Sequence, residues 1–149
     1  MEKRELSISP YTTLWKDDFD DDIILWNYAH QLEIDITIAK ELVKTRLEYC
    51  HGKSVFALID GTQIKSTTRE ARDYMNSPEG GLKGILGGAF LSKNPVATLS
   101  INLYLKINKP SVPAKFFTNK EDALQWLKRI KEEMEVESVE LTTLYDRNL

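Results

Sequence analysis

The 149-residue sequence has one cysteine, two histidines and no apolar run longer than about five residues. Each shortage excludes something. Cys50 alone cannot close an intrachain disulfide, so nothing in the sequence argues for an oxidising compartment. His30, His51 and Cys50 have no zinc-ligand spacing, so neither a structural nor a catalytic zinc set is expected. Apolar runs this short fall well below the roughly 18 residues that span a bilayer, so membrane insertion is not expected. The opening stretch, MEKRELSISP, lacks the apolar core of a secretion signal, and a cytoplasmic protein is expected. No Gly-Lys-Ser/Thr or G-x-G-x-x-G pattern occurs, which removes the common phosphate-loop signatures. No catalytic set, metal site or cofactor motif is legible, and the expectation is a protein that is not an enzyme.

What is present is ordinary in amount and informative in arrangement. Hydrophobic residues make up 42% and charged residues 29%, values of a globular chain long enough to bury a sizeable core as one domain over residues 1–149. The net charge of −3 argues against nucleic acid as the main partner. The charges are unevenly spread: residues 1–35 and the tail from 134 are acidic, whereas residues 36–133 are basic. An acidic leading segment on a basic body shields it or recruits a basic partner; solvated faces account for the same residues.

The organising stretch runs from Lys53 to Lys93. Val55 to Ile59 is a continuous apolar run ending at Asp60-Gly61, as expected of a strand covered on both faces. Thr67-Thr68-Arg69-Glu70 reads as a capping box with Thr67 as N-cap, opening a helix that presents Ala71, Tyr74 and Met75 and stops at Ser77-Pro78. Ile85 to Leu91 reads as the next strand. Strand, helix and strand make a right-handed crossover and require a parallel sheet. Before it, Tyr11 to Lys16 and Ile23 to Ala29 read as a hairpin, and Asp35 or Thr37 starts a helix that His51-Gly52 ends. After it, Asn94-Pro95 caps a helix over Val96 to Ile107, although alternation at Leu99, Ile101, Leu103 and Leu105 is equally that of a strand. Ala114 to Phe117 is a short strand, and Thr118 to Glu121 a second capping box opening the last helix. Residues 134–149 form an acidic tail, disordered or adding a strand. The fold class is therefore α/β: a mixed, mostly parallel sheet, an N-terminal hairpin and about four flanking helices.

Several candidate sites have plainer readings beside them. Asp18, Asp20 and Asp22 have the spacing of a calcium loop, but Ile23 and Ala29 stand where glycine and glutamate belong, and a solvated hairpin tip explains them. Gly87-Gly88 marks a bulge or a close helix approach rather than a phosphate cradle. Cys50 reads as a buried thiol at a helix end, and Trp15, Trp26 and Trp126 as packing residues. In the helix Val96–Ile107, at about 100° per residue, the polar Thr98, Asn102 and Lys106 share a narrow arc. The apolar flank at Leu99 and Leu103 exceeds what a sheet covers, which predicts a homodimer, another protein partner or a neighbouring helix.

Three segments, FALID with its following helix, GGAFLSKNPVATLSINLYLKI, and AKFFTNKEDALQWLKRI, occur in the order found in STAS domains, and over residues 11–133 the chain resembles this SpoIIAA-like family in its uncharacterised bacterial branch. The resemblance implies a non-enzymatic regulatory or protein-interaction module, or alternatively a carrier of a lipid or nucleotide. In the phosphorylated members an Asp-Ser-Ser-Gly motif opens the second helix; Ser66, Thr67 and Thr68 occupy that place here as candidate phospho-acceptors, without the aspartate and glycine. For a carrier, Asp60, Gly61, Ser92 and Asn94 would form the mouth, because open α/β sheets bind ligands at the carboxyl ends of their strands.

Overall fold

The computed structural model describes residues 6–147. Six strands form the main sheet: β1 (Ser7–Ile8), β2 (Thr12–Lys16), β3 (Ile23–Tyr28), β5 (Val55–Asp60), β7 (Ile85–Leu91) and β8 (Ala114–Phe117), side by side in that order. β1, β2 and β3 are antiparallel neighbours, and β3, β5, β7 and β8 are parallel. A second, two-stranded parallel sheet joins β4 (Leu32–Ile34) to β6 (Ile64–Thr67). Neither of these short strands is anticipated by the sequence, because three or four residues are too few to display a period. Four helices complete the fold: α1 (Ile36–Tyr49), α2 (Arg69–Met75), α3 (Pro95–Ile107) and α4 (Lys120–Arg147).

The central strands are apolar on both sides because both sides are covered. Ile24, Trp26, Val55 and Ala57 join a core with α1 and α2, while Ile23, Leu25, Phe56 and Leu58 join another with α4. α1 starts where the Asp35 carboxylate accepts the Ile38 N–H at 2.9 Å. It ends through His51 and Gly52, both in the left-handed region at φ 53° and 74°. On the other face α4 buries Ala123, Leu127 and Ile130 completely or nearly so. Burial of Leu127 and Ile130 contributes about 1.5–3 kcal/mol each. Gly87 lets that helix approach: a Cβ there would stand 2.6 Å from Ile130 Cδ1.

Three expectations need correction. Thr67 does not cap α2; it is the last residue of β6, and Thr68 Oγ1 accepts the Ala71 N–H at 3.2 Å. The sheet pairing of Thr67 with Ile34 keeps it extended and moves the cap one residue on. Likewise Asn119, not Thr118, caps α4, accepting the Asp122 N–H at 2.9 Å and donating to the Asp122 carboxylate at 2.8 Å. The acidic tail is neither strand nor coil over its described part: α4 continues through it to Arg147, exposed from Glu135 onward.

Candidate functional site

α3 lies on the same side of the sheet as α1 and α2 but is fastened at the far edge, on β8. Asn102 Oδ1 accepts the Phe116 N–H at 2.7 Å and Asn102 Nδ2 donates to the Phe116 carbonyl at 2.8 Å. The side-chain amide thus stands in for a neighbouring strand and satisfies an edge that would otherwise offer unpaired backbone groups. Thr98, buried, donates back to the Asn94 carbonyl at 2.8 Å. Thr98 and Asn102 of the polar arc therefore face inward, Lys106 stays exposed, and Leu99 and Leu103 remain 72% and 60% exposed. The sequence alone suggests an apolar face on the sheet; the need of β8 for hydrogen-bond partners overrides it.

Because α3 is held at the edge, the space between it and α1 is not filled. A cavity of about 590 Å3 lies there. Trp26, Tyr28, Gly88 and Phe90 belong to its sheet side, Leu42, Val43 and Arg46 to α1, and Ile101, Tyr104 and Leu105 to α3. Gly88 contributes no side chain, and Phe90 stacks on Phe116 with ring centroids 4.9 Å apart. A second cavity of about 480 Å3 adjoins it at the carboxyl ends of β5 and β7, sharing Tyr28, Ile59, Met75, Phe90 and Phe116. The two volumes are compartments of one hollow, and their size is that of small-molecule sites.

Few polar groups enter this apolar space. Arg46 is 4% exposed; its Nη2 donates to the Gly81 carbonyl at 3.1 Å, while Nη1 is closed to solvent and has no hydrogen-bond partner among the described residues. Burial pushes its guanidinium below the usual arginine range. Trp26 Nε1 donates to the Tyr28 hydroxyl at 2.9 Å, and burial pushes that phenol up to about 12. Both groups are therefore proton-carrying at neutral pH, one charged and one neutral, and both are donors.

A family model described as a domain of unknown function, DUF7793, matches the chain over residues 18–131. The chain belongs to the DUF7793 family. No curated protein matches this DUF7793 member. Among solved structures, it resembles an uncharacterised protein of the DUF3478 family with a SpoIIAA-like fold from Shewanella loihica PV-4. The TM-score is 0.57 at 17% identity, over 85% of this chain and 97% of that one. At that identity the likeness concerns the fold: the DUF7793 member has the SpoIIAA-like architecture that its sequence resembles.

Of the residues singled out as a ligand mouth, Gly61, Ser92 and Asn94 come together around the smaller cavity. Asp60 instead turns into its own loop, accepting the Thr62 N–H at 3.0 Å. Asn94 is engaged as the α3 cap, accepting from Val96 and Ala97 at 3.0 and 3.1 Å. Ser66 is exposed at the β6 edge and Thr68 is occupied as a cap. Cys50 is buried, with burial pushing its thiol up, and His51 is exposed, so the neighbours form no nucleophile–base pair. His30 Nδ1 lies 2.7 Å from Gln63 Oε1.

The acidic hairpin is pinned by lysines. Lys131 of α4 binds the Asp20 carboxylate at 2.8 Å and Asp22 at 3.0 Å, and Lys53 also pairs with Asp22. These hydrogen bonds hold the Asp22 carboxyl below the usual carboxylate range and Lys131 above the usual lysine range. Among the described residues, no group of three or more His, Cys, Asp or Glu is arranged to hold a metal, and no helix is long and apolar enough to cross a membrane. Arg46, Tyr28 and Asn102 are absent from the sequence-based candidates. One signal was readable: Arg46 falls in the stripe of Ala39, Leu42, Val43 and Cys50, a cation on the buried side of a helix.

Proposed function

We propose that this chain is a non-enzymatic binding module of SpoIIAA-like fold that holds a small, largely apolar molecule between its sheet and α1–α3. The observation carrying this reading is the hollow of about 590 Å3, walled by apolar side chains from the sheet, α1 and α3, on a domain whose opposite face is filled. A regulatory module acting only through its surface has no need of such a space. The reading takes the module as cytoplasmic, in keeping with its single buried cysteine. Native mass spectrometry of freshly purified protein, paired with titration of the neutral fluorophore N-phenyl-1-naphthylamine, tests it. A small-molecule mass lost on denaturation, or saturable uptake of the fluorophore, is expected. Bare protein that takes up no fluorophore would overturn the reading.

A second reading, a regulatory protein-interaction module, rests on the outer side of α3. Val96, Leu99, Leu103 and Ile107 are all at least 60% exposed. Residues 80–120 around them contain six lysines and no Asp or Glu. The distal part of α4 is the complement, with Val136, Val139 and Leu141 exposed among Glu135, Glu137 and Glu140. In this reading a second copy supplies the partner surface, α4 of one chain lying against α3 of the other. Light scattering after size exclusion is expected to give a dimer that Leu99→Glu, or truncation after Met134, converts to a folded monomer. A monomeric parent protein at high micromolar concentration would remove the homodimer.

A further inference from the structure

Arg46 is the most anomalous group in the molecule. It occupies a core position on α1, four residues before the buried Cys50 and four after the buried Leu42. A buried cation is ordinarily matched by a carboxylate, because the lost hydration must be replaced. Here the side chains bearing on it are those of Cys50, Tyr28 and Tyr74, a thiol and two phenols, and no carboxylate is among them. The recorded ion pairs among the described residues involve lysines, and none includes Arg46. An arginine cannot escape by shedding its proton as a lysine would. Among the described residues, Nη1 is therefore left without a protein acceptor.

Arg46 lines the same cavity as Tyr28, whose hydroxyl accepts from Trp26 and donates to no described group. A cation and a phenol donor thus share a largely apolar space, whose other polar lining, Thr12, Asn76, Asn108 and Ser111, is uncharged, with no anion among the lining residues to receive them. Resting on the ligand-binding reading above, we propose that the molecule held in this cavity is an amphipathic monoanion: its carboxylate is received by Arg46, turning Nη1 towards it, and by the Tyr28 hydroxyl, and its apolar body lies along Ile101, Leu105 and Phe90. A planar guanidinium and a carboxylate match each other in geometry as well as charge. One arginine suits a single charge; a nucleoside polyphosphate needs several donors or a glycine-rich backbone cradle, and Gly80 and Gly81 are instead packed against the end of α2, where a Cβ at either would meet the Tyr74 or Met75 carbonyl.

Dodecanoate and the matched neutral 1-dodecanol separate this proposal from the reading beneath it. Each is titrated against bound N-phenyl-1-naphthylamine at pH about 8, where the acid is ionised. The parent protein is expected to bind dodecanoate about 10- to 100-fold more tightly than the alcohol, the worth of a charge-assisted hydrogen bond. Arg46→Met is expected to lose that preference while still binding the alcohol, and Tyr28→Phe to lose part of it. If Arg46→Met does not fold, the parent preference together with Tyr28→Phe decides. Equal binding of acid and alcohol by the parent protein, or an undiminished preference in Arg46→Met, would refute the anionic head and leave the apolar carrier standing. Binding of neither compound, with no fluorophore uptake, would bring down the carrier reading itself.

Discussion

Gly87 and Gly88 are adjacent in β7 and look out on opposite faces of the sheet, where they meet different surroundings. Beyond Gly87 stands Ile130 of α4, close enough that a methyl group would collide with it. Beyond Gly88 is the cavity, with only the Phe90 ring near. The filled face is closed by one long helix whose buried residues recur at Ala123, Leu127 and Ile130, and Leu127 is wholly buried. The hollow face is shared by three shorter helices, of which α2 buries only Ala71 and α3 only Thr98. The difference lies at the β7–β8 end of the sheet: α4 packs directly on β7 from one side, whereas on the other side the core built with α1 and α2 gathers on β2, β3 and β5 and leaves room beside β7.

Core truncation gives the comparison its largest test. Leu127→Ala is expected to cost about 2–5 kcal/mol in denaturant unfolding, as for other fully buried leucines. Leu105→Ala, half-buried at the cavity wall, is expected to cost less than half as much, because it enlarges a space that already exists. Equal losses would mean that both faces are equally packed in solution. The two glycines come next. Gly87→Val is expected to lose about 1–3 kcal/mol through overpacking. Gly88→Val should melt near the parent protein while its uptake of N-phenyl-1-naphthylamine falls; a large destabilisation there would deny the hollow.

Helix capping gives a smaller effect. A helix that buries one residue depends on its ends, so Thr68→Ala is expected to cost about 1 kcal/mol. Thr67→Ala should cost less, since the bond at that residue comes from Arg72 to its main-chain carbonyl. A larger loss at Thr67 in thermal melts would put the cap where the sequence suggests it. The hairpin lysine gives the smallest effect. Lys131→Ala is expected to cost about 0.5–1 kcal/mol near neutral pH, modest because the network is partly exposed. Asp22 holds its proton less readily when folded than when unfolded, so its contribution is complete above pH about 4 and disappears as pH falls through its lowered folded value. Lys131 holds its proton more tightly when folded, so its contribution is complete below pH about 10 and fades as pH rises beyond it. The difference in melting temperature between the two proteins should therefore be constant between these limits and shrink outside them; a difference unchanged at pH about 3 would show that the ion pairs do not supply it.

Elements that carry their own period or punctuation were legible. Ile85–Leu91, Ala114–Phe117 and the Asn94-Pro95 start of α3 lie where the sequence puts them, because apolar runs and caps act within a few residues. β4 and β6 were not legible, since each exists only through the other. The two misplaced caps have the same origin: Thr67 and Thr118 present suitable side chains, and neighbouring structure decides that Thr68 and Asn119 turn first into the helix. At the candidate site, Gly61, Ser92 and Asn94 follow from strand ends, whereas the meeting of Arg46 of α1 and Tyr28 of β3 at one cavity has no trace in local spacing beyond a cation in an apolar stripe.

The sequence by itself determined the alternation of strands and helices and the parallel crossover, because these depend on residue types at short separations. Tertiary structure decided that α3 turns Thr98 and Asn102 inward. Asn102 and Phe116 are fourteen residues apart, and only their meeting at the sheet edge makes an amide more useful inside than a leucine. From that contact follow the exposed Leu99 and Leu103, the gap between α3 and α1, and the hollow in which Arg46 lies without a counter-charge.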